Sequence, residues 1–239
     1  MSQQSSVSAQ PTFHVYTFSY NNPTRAAKMR TRFNTVGLPL TFVDVVNNDD
    51  PRLAGLAPGV DRIHAIMWNH LDMLKTFLES DHDFGVFCED DILIRKDFAI
   101  LMPEVMAVYN RLDLEILLLG YLVPYKPVDR YIHPNFSQLG VNLSYLSYTD
   151  DQWGAQMYML DRKTAQNFCD KYTLEYARKS LTDASMRCFN PDWTLTKDGR
   201  RSAVYPMLAL EEGASITGAP SHVTFHYNCF KAHDISGYI

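Results

Sequence analysis

Apolar residues in this chain fall into short continuous runs that alternate with stretches of three-to-four spacing. The run "FHVYTFSY" (13–20), rich in aromatic and β-branched residues, predicts a first strand, and Asn21-Asn22-Pro23 predicts the turn that ends it. Beyond the turn, Ala26, Met29, Phe33 and Val36 recur at helical spacing, with Thr24 expected as the cap and Gly37 as the stop. "LTFVDVV" (40–46) predicts a second strand, followed by a polar connection from Asn47 to Gly59. Ile63, Ile66, Met67, Leu71, Leu74, Phe77 and Leu78 then predict a helix of about four turns. "FGVFC" (84–88) is a third strand; Asp97 opens a helix with Phe98, Leu101, Met102, Val105, Met106 and Tyr109 on one side; "EILLL" (115–119) is a further buried strand.

The second half changes character. From Gly120 to Asp151 the chain is dense in Tyr, Pro, Asn and Ser. "AQMYML" (155–160) predicts a strand, and Asp161 caps a helix running through Ala165, Phe168, Cys169 and Tyr172. From Arg200 the tail reads as short strands and loops broken by Gly213, Gly218 and Pro220. Strands that alternate with helices and read as unbroken apolar runs predict an α/β fold with a mostly parallel central sheet covered by helices on both faces. A single domain is expected: a disordered arm over 1–11, then two halves, 12–100 and 101–239, with no flexible linker between them.

Composition narrows the function classes. With 46% hydrophobic residues in 239, the chain can fill a sizeable core. The 22 basic and 27 acidic residues give a net charge of −5 with no basic block, which argues against nucleic acid as a partner. Cys88, Cys169, Cys188 and Cys229 are scattered without a C-x-x-C pair, so reduced thiols are expected, not a zinc ribbon or a disulfide scaffold. The polar opening lacks the signature of a signal peptide, and no segment approaches the roughly 20 apolar residues of a membrane span. A soluble, cytoplasmic protein is the expectation; the sequons at Asn135 and Asn142 would matter only in a secreted one.

One stretch stands apart. In "DFGVFCEDDILIRKDF" (83–98) a strand that reads as buried runs straight into Glu89, Asp90 and Asp91. Three adjacent carboxylates repel one another, and either water or a cation relieves them. In a parallel α/β sheet the carboxyl ends of the strands are where ligands bind, and hard divalent ions such as Mn²⁺ or Mg²⁺ take oxygen ligands while leaving positions open for phosphates. A solvated acidic turn is the plain alternative.

The stretch resembles the region around the acidic D-x-D-type motif of glycosyltransferase family 25, which contains lipopolysaccharide-biosynthesis glycosyltransferases and the collagen hydroxylysine galactosyltransferases. Further patches follow in the family's order. "FSYNNPTRAAKMRTRF" is similar to its opening strand and N-P-x-R-x-x-x-M segment, and "AIMWNHLDMLK" to its Ser-His helix, with Asn69 where Ser is usual. "EILLLG", "WGAQMYMLDRKTA" and "PDWTL" match later segments. The patches span roughly 13–210; the end after Leu210 diverges.

That resemblance implies a GT-A-type fold and a metal-dependent, inverting transfer of a sugar from a nucleotide diphosphate donor, expected to be a UDP-hexose, to a glycan or glycoprotein hydroxyl. Asp91 and then Asp90 are the expected ligands of Mn²⁺ or Mg²⁺, joined by His222 or His226 of "SHVTFHYN"; Glu89 is expected on the donor ribose or sugar. Phe18, Ser19 and Tyr20 would meet base and ribose, Arg25 the phosphates, Asp44 the base, and His70 would orient the donor or support the acidic loop. Asp192, held between Pro191 and Trp193, is the expected general base, with Asp151 and its neighbour Asp150 in reserve. Trp153 and Trp193 would stack on the acceptor; Tyr121, Tyr125, Tyr131, Tyr145 and Tyr148 give the middle segment an aromatic density that suits carbohydrate stacking and equally suits a core. Two other readings stay open: a nucleotidyltransferase, which would ordinarily carry a glycine-rich loop where this chain has "NNPTR", and a carbohydrate-binding domain that has lost its chemistry.

Overall fold

The structure is a computed structural model, and it describes residues 11–126, 143–213 and 219–239. Almost all of the expected arm, Tyr131, the asparagines of both sequons and Gly218 lie outside the described residues. Nine strands and six α-helices are described, in the order β1 (Phe13–Thr17), α1 (Pro23–Thr35), β2 (Leu40–Phe42), α2 (Val60–Leu78), β3 (Phe84–Cys88), β4 (Ile92–Ile94), α3 (Phe98–Arg111), β5 (Ile116–Leu122), β6 (Ser144–Leu146), β7 (Trp153–Asp161), α4 (Arg162–Lys171), α5 (Leu174–Lys179), β8 (Arg201–Tyr205), β9 (Ala209–Glu211) and α6 (Pro220–Lys231).

Seven strands form one sheet in the order β2-β1-β3-β7-β5-β8-β6. β1 pairs in parallel with β2 and β3, and β5 with β8; β7 runs against both β3 and β5, and β6 against β8. The sheet is therefore mixed, with two reversed strands. β4 and β9 pair antiparallel in a separate two-stranded ribbon. The β5 end and the ribbon meet closely: Leu208 N donates to Leu119 O at 2.7 Å, and a Cβ on Gly120 would lie 2.9 Å from Ala209 O.

The period of two along each strand sorts the core onto two faces. Tyr16, Phe87, Ile116, Leu118, Tyr158 and Leu160 pack with Met67, Leu71, Leu74 and Phe77 of α2 and with Ala165 and Phe168 of α4. The alternate residues Val15, Val86, Cys88, Leu117, Leu119, Met157 and Met159 pack with Met29 and Phe33 of α1 and with Phe98, Met102 and Val105 of α3. Both faces of β3, β5 and most of β7 are buried, which is why their sequences read as unbroken apolar runs.

Local chemistry corrects several expectations. Asn22, not Thr24, caps α1, its side chain accepting from Arg25 N at 3.1 Å; Pro23 takes the first helical position, where its missing N–H is no loss. Gly37 follows the helix at φ 73°, as expected. Asp161 caps α4 by accepting from Thr164 N at 2.7 Å. Asp97 precedes α3, but its carboxylate is held by Arg95 at 2.7 Å and caps nothing. β2 stops at Phe42, which leaves Asp44 beyond the strand and not inside it. The tail is not all strand and loop: Pro220 opens helix α6. The four cysteines are free, with Cys88 and Cys229 buried.

Candidate active site

Because β1, β2 and β3 are parallel, their carboxyl ends share one edge of the sheet. Thr17 pairs with both Phe42 and Cys88, so Phe18–Tyr20, Val43–Asp44 and Glu89–Asp91 all begin there. The three acids occupy the bend where the chain leaves the main sheet for the ribbon: Glu89 N still donates to Gln156 O of β7 at 3.1 Å, while Ile92 already pairs with Glu211 of β9. They are no open turn. Asp91 is buried, its carbonyl accepts from Glu212 N at 2.6 Å, and its Oδ1 is buried with no hydrogen-bond partner.

Charges converge on this bend. Arg25 Nη1 lies 3.2 Å from Asp90 Oδ1 and 3.1 Å from Asp91 Oδ2, and Ser19 Oγ donates to Asp90 Oδ2 at 2.5 Å. Burial pushes the Asp91 carboxyl up to about 7, with Glu211 raising it further and Arg25 opposing. Glu89, partly buried, is driven well above the carboxylate range by burial and by Asp91, Asp192, Glu211 and Asp90. Glu211 is buried as well, and both its oxygens lie 2.7–2.8 Å from His226 Nδ1.

Glu211 is the residue sequence reasoning missed. Its signal was present: "LALEEG" (208–213) runs an apolar strand into acids as "FCEDD" does. The β4–β9 register then sets it opposite Ile92, beside Asp91. His222 and His226 stand four apart on α6, not on a strand, with rings 4.1 Å apart; His226 is buried on Glu211 and His222 is exposed. Carboxylate oxygens and an imidazole suit a hard divalent ion, and Asp91 Oδ1 has an unmet need for a partner. Among the described residues, however, no three His, Cys, Asp or Glu side chains are gathered closely enough to hold one.

The remaining candidates divide. Phe18 and Ser19 are partly buried at the edge, and Tyr20 and Asp44 are exposed there. His70 is fully buried, with Nδ1 2.9 Å from Tyr158 Oη and its ring edge-on to Phe18 at 5.5 Å; burial lowers its pKa to about 3, so it is a neutral support beneath the edge and touches no surface. Asn69 Oδ1 accepts from Val46 N at 2.8 Å and ties down the chain after β2. Asp192 Oδ1 accepts from Gly154 N and Ala155 N at 2.9 Å each, fixing it at the start of β7, where Trp153 meets Trp193 edge-on at 5.4 Å. Beneath Trp193, Lys197 is buried between that ring and Tyr148, 5.6 Å from each, with no acceptor for its Nζ. Asp151 is exposed and takes a hydrogen bond from Thr149; Asp150 pairs with Arg201 at 2.6 Å. Tyr121, Tyr145 and Tyr148 are buried, which makes them core and not stacking surface.

No family model matches the chain, and no curated protein matches it. Among solved structures it is similar to mannose-1-phosphate geranyltransferase from Thermus thermophilus, at 10% identity over 81% of this chain and 73% of that one, with a TM-score of 0.37. It is also similar to HddC from Yersinia pseudotuberculosis, at 13% identity over 92% and 78%, with a TM-score of 0.34. Likenesses this faint leave the functional reading to the geometry of the site. Among the described residues no helix is long and apolar enough to cross a membrane.

Proposed function

We infer that the chain binds a nucleotide diphosphate sugar along the carboxyl edge of β1, β2 and β3 and transfers the sugar, with inversion, to a hydroxyl of a glycan or glycoprotein, as a GT-A glycosyltransferase resembling family 25. The observation that carries this reading is the buried, unpartnered Oδ1 of Asp91, set among Asp90, Glu89 and Glu211 at the ligand-binding edge of the sheet. Phe18, Ser19, Tyr20 and Asp44 frame the place for base and ribose. Glu89, whose carboxyl burial and the neighbouring acids raise well above its ordinary value, would hydrogen-bond a sugar hydroxyl. With no three ligating side chains gathered among the described residues, Asp91 and Asp90 would hold Mn²⁺ or Mg²⁺ only together with oxygens of the donor diphosphate, and the ion would supply Lewis acidity to that leaving group. Asp192, oriented by two backbone N–H groups, takes the proton of the acceptor hydroxyl while Trp153 and Trp193 offer ring faces to the acceptor sugar.

The test begins with thermal shift against UDP-, GDP- and CMP-sugars with and without Mn²⁺; the true donor raises Tm by mass action. With that donor, Asp91→Ala should abolish Mn²⁺-dependent release of the nucleoside diphosphate while the fold is kept. Asp192→Asn should lower transfer by about 10²–10⁴-fold and leave donor binding intact. Equal activity in Asp91→Ala would overturn the metal role. Release of pyrophosphate from a nucleoside triphosphate, in place of a nucleoside diphosphate from a sugar nucleotide, would make the enzyme a nucleotidyltransferase.

A further inference from the structure

Gln156 of β7 lies between the two ends of the candidate site. Its backbone carbonyl accepts from Glu89 N at 3.1 Å, which carries the β3–β7 ladder one step past the Cys88–Met157 pair. On its other side, Asp192 Oδ1 accepts from Ala155 N and Gly154 N at 2.9 Å each. Strand alternation puts the Gln156 side chain on the face of Tyr158, which packs towards α2 with Phe87, the residue two before Glu89. Glu89 and Gln156 therefore stand opposite each other where β3 ends, and Asp192 is close enough to Glu89 to raise its carboxyl. Within the buried run Gly154–Leu160, Gln156 is 4% exposed and its Oε1 is buried with no hydrogen-bond partner among the described residues. Gln152 shows the contrast: it is equally buried, but its Nε2 donates to Leu122 O and Trp153 O at 2.9 Å. An unpaired buried carboxamide costs free energy that Leu or Met in the same place would not.

Resting on the reading of the site given above, we propose that Gln156 reads the transferred sugar: its carboxamide hydrogen-bonds one hydroxyl of a hexose ring and selects donors that carry that hydroxyl over their deoxy analogues. The ring in transfer lies between the donor-side acid Glu89 and the acceptor-side acid Asp192, and Gln156 is the residue of β7 set between them. A sugar hydroxyl can donate to Oε1 and also accept from Nε2, so one group meets both needs of the amide. A deoxy sugar covers the amide from water and leaves it unpaired, which is how a site built around a hydrogen bond rejects the analogue that lacks it.

The experiment measures Kd for the full chain by isothermal titration with Mn²⁺ present, in wild type, Gln156→Leu and Gln156→Met. The probes are UDP-glucose, UDP-galactose and GDP-mannose, the monodeoxy analogues of each, and UDP and GDP alone. For the hexose donor that wild type binds best, one monodeoxy analogue should bind about 5- to 150-fold more weakly than the parent. In both variants that ratio should shrink toward one, the ratios of the other analogues should persist, and UDP or GDP alone should bind as in wild type. Urea midpoints of the two variants should equal or exceed that of wild type, because the empty protein loses no hydrogen bond to Oε1; a structural role for the amide would lower them. Wild type that treats every deoxy analogue as the parent, ratios unchanged in the variants, or midpoints lowered in both overturns the role of Gln156 and leaves the site assignment standing. Failure of wild type to bind any of these nucleotides overturns the site assignment, and the role of Gln156 falls with it.

Discussion

The ammonium of Lys197 is packed between two aromatic rings with no hydrogen-bond acceptor. Burial lowers its pKa from 10.5 to about 8, with Arg201 and Arg187 adding to the drop and Asp192 opposing it. The unfolded chain therefore holds a proton on this side chain between pH 8 and 10.5 that the folded chain has released, so its contribution to stability rises with pH across that window. Lys197→Met removes the titration. Denaturant midpoints at pH 7 and 9.5 should show the variant's advantage over wild type shrinking as pH rises, by at most roughly 3 kcal/mol; a difference that stays constant with pH would show that the folded-state pKa is not depressed. At this scale the sequence was readable where a side chain acts on its neighbours in the chain, as with Glu89–Asp91 or the cap Asp161. It was silent on Lys197, because its burial is decided by Tyr148, which lies about fifty positions away and was itself read as a possible stacking surface.

Among the elements, α1 ties cap to chemistry. Asn22 accepts from Arg25 N, and its carbonyl accepts from Ser19 Oγ at 3.2 Å, so the cap joins the two residues that touch Asp90. Asn22→Ala should lower stability by about 1 kcal/mol and weaken diphosphate binding, whereas Asn22→Asp should retain most of the stability. Urea unfolding and isothermal titration with UDP and Mn²⁺ read the two effects, and a stable variant with full affinity would deny the cap any part in placing Arg25. The helices α1 to α4 were legible from their apolar spacing, and β1, β3, β5 and β7 from their buried runs. The misplaced features were those whose shape is set by partners remote in sequence. β4 and β9 are three residues each and exist as strands because they pair with each other across more than a hundred positions. His222 and His226 have a spacing that serves helix and strand alike, and Pro220, read as a breaker, was the helix start.

In the whole molecule, the reversed strand β7 brings the second half of the chain to the first. It sits between β3 and β5, so Asp192, bound at Gly154 and Ala155, comes near enough to Glu89 to raise its carboxyl. Sequence reasoning placed Asp192 on an acceptor side without knowing the strand direction that makes the adjacency possible; periodicity reports which face a residue is on, not which neighbour its strand will have. The bend at Glu89–Asp91 also has a mechanical meaning. It is the junction between a seven-stranded sheet and a two-stranded ribbon, and the ribbon is fastened to α1 by Arg32 on Ile92 O and by Lys28 and Arg32 on Glu212. Small ribbons open more readily than central strands, so the β4 and β9 amides should exchange with deuterium faster than those of β3 in the empty protein. UDP with Mn²⁺ bound at the junction should slow the ribbon toward the β3 rate. The acids would then fuse two separately opening units into one.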